Sequence, residues 1–326
     1  MKAIRVAQYG DPSVLKLEDI PQPKPGTGEA LVRVHAVGVN YADIYFRNGA
    51  ARMPIPFPFT PGIEGAGVVE SVGQAVADVK VGDRVAYATR NVGSYAEYHV
   101  VSAAQLAPLP KEVSFEDGAA VILQGLTAHY LLREFYQIKR ESTVLVHAAA
   151  GGMGLLLIQW LKHMGAVAIG TVSTEEKAKV AREAGADHVI LYTKQDFVDG
   201  VKSVTDGQGV DYIIDGVGKS TFTKNFDALK SRGWATVFGM ASGPADPVVP
   251  NSLMTKSLTI SGGALFNYMV TRDELLGRAR DVFTGFREGW LKLRIHRTFP
   301  LAQAAEAHRL LEGRQTVGKL ILKTAS

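Results

Sequence analysis

The sequence predicts an α/β protein: a doubly wound, six-stranded parallel sheet inserted between stretches that read as a compact β-barrel. Three observations carry this. From residue 143 to 261 six short apolar runs are separated by helical stretches. Before residue 115 the chain instead shows short alternating runs broken by frequent glycine and proline turns. The first apolar run of the middle region leads into a glycine-rich turn and then a second apolar run, in the manner of a buried strand feeding a helix.

Residues 1–121 are read as β-rich. Residues 2–8 and 14–20 alternate on either side of the turn Tyr9-Gly10-Asp11-Pro12, and the proline-rich 21–25 is a surface connection. Residues 30–39 form another alternating strand, and 40–48 a short helical turn. The segment 53–61 carries prolines at 54, 56, 58 and 61 and is read as an irregular loop. Gly62 opens a turn into a strand, 81–85 is a hairpin leading into a strand, and 93–101 is another strand. A helix is expected over 115–135, with Ser114 before Phe115-Glu116-Asp117 resembling a capped start. The parallel strands are expected at 143–147, 167–171, 188–191, 210–214, 234–238 and 257–261, with helices after Gly151, Thr174, Phe197, Ser220 and Ser252. The last stretch gives a helix at 272–288, a strand at 290–298, a helix at 301–313 and a strand at 318–322. It is too small to stand alone and is expected to return to the N-terminal barrel. The domains are therefore 1–121, 122–263 and the return 264–326.

The turn within 144–160 reads VLVHAAAGGMGLLLIQW and contains Ala149-x-Gly151-x-x-Gly154, a close variant of the dinucleotide fingerprint. Small residues at 149 and 151 permit a tight turn and a close backbone approach to a pyrophosphate. Gly154 lets the helix pack near the strand, and free N–H groups at the helix start face the phosphates. A membrane span is the competing reading of 144–161, but Gly151-Gly152 and His147 interrupt it and it is at the short limit for spanning.

An NAD site places an acid about 20 residues beyond the fingerprint, on the ribose 2′-OH. That position reads Val172, with Ser173 and Lys177 nearby, a hydroxyl and a cation suited to a 2′-phosphate. Ser173 as a helix cap and Lys177 as solvated surface is an ordinary alternative, and both can hold together. The balance favours NADPH. Two further strand ends, Asp215-Gly216-Val217-Gly218 and Phe238-Gly239-Met240, are expected to line the nicotinamide side, with Asp215 a turn residue rather than a catalytic acid.

Composition narrows the chemistry. The 326 residues are 46% hydrophobic and 21% charged, as in a soluble globular protein, and the N-terminus lacks a signal peptide, so a cytoplasmic protein with no membrane role is expected. The net charge of +4 comes from scattered Lys and Arg, so no nucleic-acid partner is expected. The absence of cysteine excludes disulfides and thiol chemistry, and the eight histidines show no ligand spacing, so no metal is assigned.

The ordered segments GVNYAD, PGIEGAGVVESVG, GDRV, LQGLTAHYLL, HAAAGGMG, GTVSTEEK, GADHVI and TVGKLIL span essentially the whole chain. Together they resemble the medium-chain dehydrogenase/reductase superfamily, and within it the zinc-free NADPH:quinone oxidoreductase (zeta-crystallin-like) family. The resemblance implies a GroES-like barrel built from both chain ends around a Rossmann domain. Zinc-dependent relatives carry Cys at the position of Asn40 and Gly-His-Glu where this chain has Gly62-Ile63-Glu64. Without a Lewis acid, reduction of an electrophilic acceptor fits better than alcohol oxidation.

By resemblance, Asn40 lies near the nicotinamide, with Asp43 and Tyr45 beside the substrate in the interdomain cleft. These three are the catalytic candidates, Tyr45 as the one possible proton donor. Gln124 and Thr127 touch the cofactor, although several relatives have Lys at 124. Gly151, Gly152, Met153 and Gly154 cradle the pyrophosphate, and Ser173, Lys177 and Tyr192 surround the 2′-phosphate. Val217, Phe238, Ser242, Leu265 and Lys319 complete the cofactor set. Residues alone would leave Tyr45 and Tyr192 as half-buried packing.

The expected reaction is metal-free hydride transfer from NADPH to a small-molecule quinone. Reduction of an enone or alkenal C=C bond would use the same fold and cofactor, and an NADPH-binding structural or RNA-binding role is a third reading. The apolar edge strand at 257–261 suggests a homodimer.

Overall fold

The computed structural model describes residues 1–51 and 55–324, and in it the chain divides into two units. The first comprises Met1–Leu126, Met269–Phe283 and Leu293–Ser326; the second comprises Thr127–Tyr268 and Thr284–Lys292. Of the proline-bearing loop expected at 53–61, residues 53 and 54 lie outside the described residues.

The first unit is organised around strand Glu29–Val39, whose sequence EALVRVHAVGV is buried at every position except Glu29, Arg33 and His35. It pairs antiparallel with Glu64–Val72 on one side and with Lys319–Lys323 on the other, and also with Tyr98–Ser102. Arg84–Ala88 and Leu106–Pro108 extend the sheet beyond Glu64–Val72, and Ile295–Pro300 pairs parallel with Lys319–Lys323. The C-terminal strand thus lies directly beside a strand almost 300 residues earlier, with Leu320 opposite Val39. Val32, Val34, Val37, Tyr87, Tyr95, Phe299, Leu320 and Leu322 share one apolar core.

The second unit is a six-stranded, all-parallel sheet. Its order is His188–Leu191, Val167–Val172, Thr143–Val146, Val210–Asp215, Leu229–Val237 and Thr259–Gly262. The strand order reverses between Thr143–Val146 and Val210–Asp215, and a ligand crevice belongs at the carboxyl ends there. Val210–Asp215 is buried at every position, as a central strand covered on both faces requires.

Several element boundaries differ from the sequence reading, each for a local reason. Helix Phe115–Arg133 starts as expected: Ser114 Oγ accepts the Asp117 N–H at 3.0 Å. The next expected cap shifts by one residue. Thr174, not Ser173, caps helix Glu175–Glu183, accepting the Lys177 N–H at 3.2 Å. The strand expected at 290–298 begins only at Ile295, because the chain turns through Gly289 (φ 78°) and Trp290 packs its ring against Trp160 and His163. The edge strand is Thr259–Gly262 rather than 257–261, since Ser257 adopts a left-handed conformation (φ 53°) at the end of the 3₁₀ segment Pro250–Lys256. It remains at the sheet edge.

Candidate active site

In the second unit the site is made of backbone. Strand Thr143–Val146 ends, Ala148 takes a left-handed conformation (φ 53°), and Gly151 stands at the N-cap of helix Gly152–His163. No side chain caps this helix, so its first N–H groups keep no side-chain acceptor. A Cβ on Gly154 would lie 2.5 Å from the Ala148 carbonyl oxygen and 2.7 Å from Ala149 Cα. Only glycine allows this helix to press against the turn. An uncapped, positively polarised helix start at the reversal point of a parallel sheet fits a pyrophosphate.

The neighbouring strand ends are braced by polar contacts. His147 is buried and held neutral by burial, and it bridges Thr171 Oγ1 at 3.0 Å and Asn225 Oδ1 at 2.8 Å. Asn225 in turn donates to Asp215 at 2.7 Å. Asp215 also accepts the N–H groups of Val217 and Gly218 and the Thr221 hydroxyl. Its oxygens are thus occupied in fixing the turn, consistent with a structural role.

The candidate cofactor residues of this unit follow the strand ends. Val172 is buried at the end of its strand, with Ser173 and Lys177 half-buried just beyond it and Tyr192 45% exposed. The Val217 carbonyl accepts both the N–H and the hydroxyl of Ser242 at 2.8 Å, and the Phe238 ring covers Gly216, where a Cβ would meet it at 2.7 Å. Leu265 is buried in a 3₁₀ turn after the edge strand, and Thr127 lies on helix Phe115–Arg133.

In the first unit the site is made of side chains. Asn40 precedes helix Tyr41–Asn48, and its amide is fully committed. Its Nδ2 donates to Glu64 Oε1 at 2.7 Å and to the Gly38 carbonyl at 3.3 Å, while its Oδ1 accepts from Lys319 Nζ at 2.6 Å. Lys319 also pairs with Glu64, and the two are 2% and 0% exposed. Gly38 makes the room: a Cβ there would lie 2.0 Å from Glu64 Oε1. The second Glu64 oxygen accepts the Leu123 N–H at 2.9 Å.

Asp43, on the first turn of the helix, is fully buried, and burial pushes its carboxyl up to about 7. Its Oδ2 accepts the Asn40 N–H at 2.9 Å and the Tyr95 hydroxyl at 3.1 Å. Tyr45 lies two residues along the same helix, half-buried, its ring centroid 6.3 Å from that of Tyr41. Gln124 is half-buried and its Oε1 has no hydrogen-bond partner among the described residues, an acceptor that a ligand donor would satisfy.

Asn40, Asp43 and Lys319 are therefore brought together, and Glu64, Tyr95 and His308 join them without having been selected from sequence. The only sequence signal for Glu64 was its place in Gly62-Ile63-Glu64; nothing local marks Tyr95 or His308. The residues do not fit a metal. Asn40 and Glu64 already bind the Lys319 ammonium, and among the described residues no group of three or more His, Asp or Glu could hold one.

Two family models match: the alcohol dehydrogenase GroES-like domain over residues 26–111 and the zinc-binding dehydrogenase domain over 152–278. A quinone oxidoreductase of Pseudomonas aeruginosa is 42% identical, covering 98% of this chain and 99% of the relative. The chain belongs to the quinone oxidoreductase family of medium-chain dehydrogenase/reductases. Within similar proteins, a 2-haloacrylate reductase of a Burkholderia species is 41% identical, with 97% of each chain covered. The crystal structure of the Escherichia coli quinone oxidoreductase complexed with NADPH superposes with a TM-score of 0.96 at 39% identity, covering 99% of this chain and 100% of the other. Positions 40, 63 and 64 carry Asn, Ile and Glu, and the Lys319 ammonium engages Asn40 Oδ1 and Glu64 Oε1.

Proposed function

We propose that this chain is an NADPH-dependent quinone reductase, working without metal. The observation that carries this reading is the 42% identity, end to end, with a named quinone oxidoreductase. The uncapped helix start at Gly152 and the strand end at Val172 support it, because the first suits a pyrophosphate and the second carries no acid to repel a 2′-phosphate.

Gly151, Gly152, Met153 and Gly154 would hold the pyrophosphate, and Ser173, Lys177 and Tyr192 the 2′-phosphate. Thr127, Val217, Phe238, Ser242 and Leu265 would contact the remainder, together with Asn40, Gln124 and Lys319. When bound, the nicotinamide supplies a hydride. The protein orients the reactants and excludes water. Asn40, its amide held by Glu64 and Lys319, presents one fixed face. Tyr45 is a candidate proton donor, though a hydroquinone oxyanion can also take its proton from water. Full activity in Tyr45→Phe would remove Tyr45 from that role.

The 41% identity with a 2-haloacrylate reductase favours a second reading, reduction of an activated C=C bond. An acceptor panel separates the two: 1,4-benzoquinone and naphthoquinones against 2-alkenals and 2-chloroacrylate, followed by NADPH absorbance. Turnover of the alkenals or 2-chloroacrylate without the quinones would overturn the first reading. We further propose a homodimer through the edge strand Thr259–Gly262, acting in the cytoplasm; a monomeric mass by light scattering would contradict the dimer, and recovery in a membrane or secreted fraction the location.

A further inference from the structure

Behind Asn40 runs a buried hydrogen-bond chain that the proposed hydride transfer does not use. It starts at Arg47, which is 2% exposed and forked onto Glu312 at 2.6 and 3.0 Å. The Arg47 guanidinium also reaches His308 Nδ1 at 3.1 Å. His308 Nε2 lies 2.9 Å from the Tyr95 hydroxyl, which reaches Asp43 Oδ2 at 3.1 Å. The same Oδ2 accepts the Asn40 N–H.

The direction of every proton in this chain is determined. A guanidinium can only donate, so His308 Nδ1 must accept. Burial and the Arg47 charge push the His308 imidazole down to about 3, so the ring is neutral and its single proton sits on Nε2. That proton goes to the Tyr95 oxygen, and the Tyr95 hydroxyl, held well above its usual range by burial and by Asp43, donates onward. Two donors thus converge on Asp43 Oδ2. Asp43 Oδ1 is buried with no partner among the described residues, so it is the oxygen left to carry a proton when the carboxyl is neutral.

We infer that Asp43 is a positioning residue: its carboxylate, at the end of a one-way donor chain from Arg47 through His308 and Tyr95, fixes the Asn40 backbone and so the amide that Glu64 and Lys319 hold, and protonation of Asp43 loosens that hold. The groups facing it come from every surrounding element. They are Glu64 and Lys319 at the starts of their strands, Tyr95 in the loop before Tyr98–Ser102, His308 on helix Ala304–Glu312, and Arg47 on Asp43's own helix. Glu64 opposes ionisation of Asp43, and Lys319 and the Tyr95 hydroxyl favour it. The consequence for catalysis rests on the proposed function; the coupling of Asn40 to Asp43 does not.

The test has two arms. In the ligand-free protein, the Asp43 carboxyl ¹³C resonance, assigned by its loss in Asp43→Asn, and the Asn40 backbone amide are followed against pH. Both are expected to titrate together near 7 in the native protein. Tyr95→Phe, which removes one donor to the carboxylate, is expected to move both midpoints upward by about one pH unit. In the second arm, quinone reduction by Tyr95→Phe is expected to fall about fivefold in kcat at neutral pH and to recover at about pH 9, with the KM for NADPH unchanged. A structural lesion would not recover with pH. An Asn40 amide that ignores the Asp43 titration, or midpoints that Tyr95→Phe leaves in place, would overturn the inference. If no quinone or alkenal is reduced by the native protein, the functional reading fails and the first arm still decides the coupling.

Discussion

The two units meet the demands of a reductase by opposite means. The second unit uses main chain: a left-handed Ala148, an uncapped helix start and Gly154 pressed to within contact of the turn. The first uses side chains brought together from remote parts of the sequence, such as Lys319 and Asn40, which lie 279 residues apart and meet at 2.6 Å. A backbone site tolerates varied side chains but no added atoms at its glycines. A side-chain site tolerates added atoms on its surface but not the loss of one partner, because the others are then left buried and unpaired.

This contrast can be broken by substitution, beginning where the effect is largest. Lys319→Met leaves Glu64 charged, buried and without its cation, and is expected to lower stability by about 3–5 kcal/mol in urea unfolding. Adding Glu64→Leu to it should recover a large part of that loss. In the other unit, Gly154→Ala forces a methyl against the Ala148 carbonyl and is expected to cost about 1–3 kcal/mol and to weaken dinucleotide binding, measured by calorimetry. Lys177→Ala is expected to weaken NADPH binding about tenfold while leaving NADH binding unchanged; equal effects on both would remove Lys177 from the 2′-phosphate.

The buried titratable groups of the first unit also make stability depend on pH. His99 and His308 are pushed down to about 4 and 3 by burial, so the unfolded chain takes up their protons first and stability falls as pH drops below about 6.5. Asp43 acts in the opposite sense. Its folded carboxyl, raised to about 7 from 3.8, binds its proton more tightly than the unfolded one, giving stability at acid pH that is lost as pH rises toward 7. Asp43→Asn removes the opposing contribution, so its urea midpoint is expected to fall more steeply than that of the native protein between about pH 7 and 5.

The same contrast explains how much the sequence could show. The parallel sheet and the glycine turn were legible because their signals are local: apolar runs of strand length and three small residues at fixed spacing, Ala149, Gly151 and Gly154. Most helix ends were legible to within a residue or two, but the helix expected after Ser252 is the 3₁₀ segment Pro250–Lys256 and that expected from 301 becomes α-helical only at Ala304; the cap at Thr174 rather than Ser173 shows the same limit, since two adjacent hydroxyls carry the same local preference. The polar chain was not legible. Asp43 and Asn40 entered through resemblance, while Tyr95 and His308 have no periodicity or spacing that links them to Asp43, being 52 and, for His308 to Tyr95, 213 residues away. The His308 contact joins two distant parts of the chain, the C-terminal segment lying against the first part where Lys319–Lys323 pairs with Glu29–Val39.

The most direct test of the functional reading is the reduction of 1,4-benzoquinone by the native protein with NADPH and with NADH, compared as kcat/KM. Rapid turnover with a clear preference for NADPH is the predicted result. No turnover of quinone, or equal use of the two nucleotides, would contradict it.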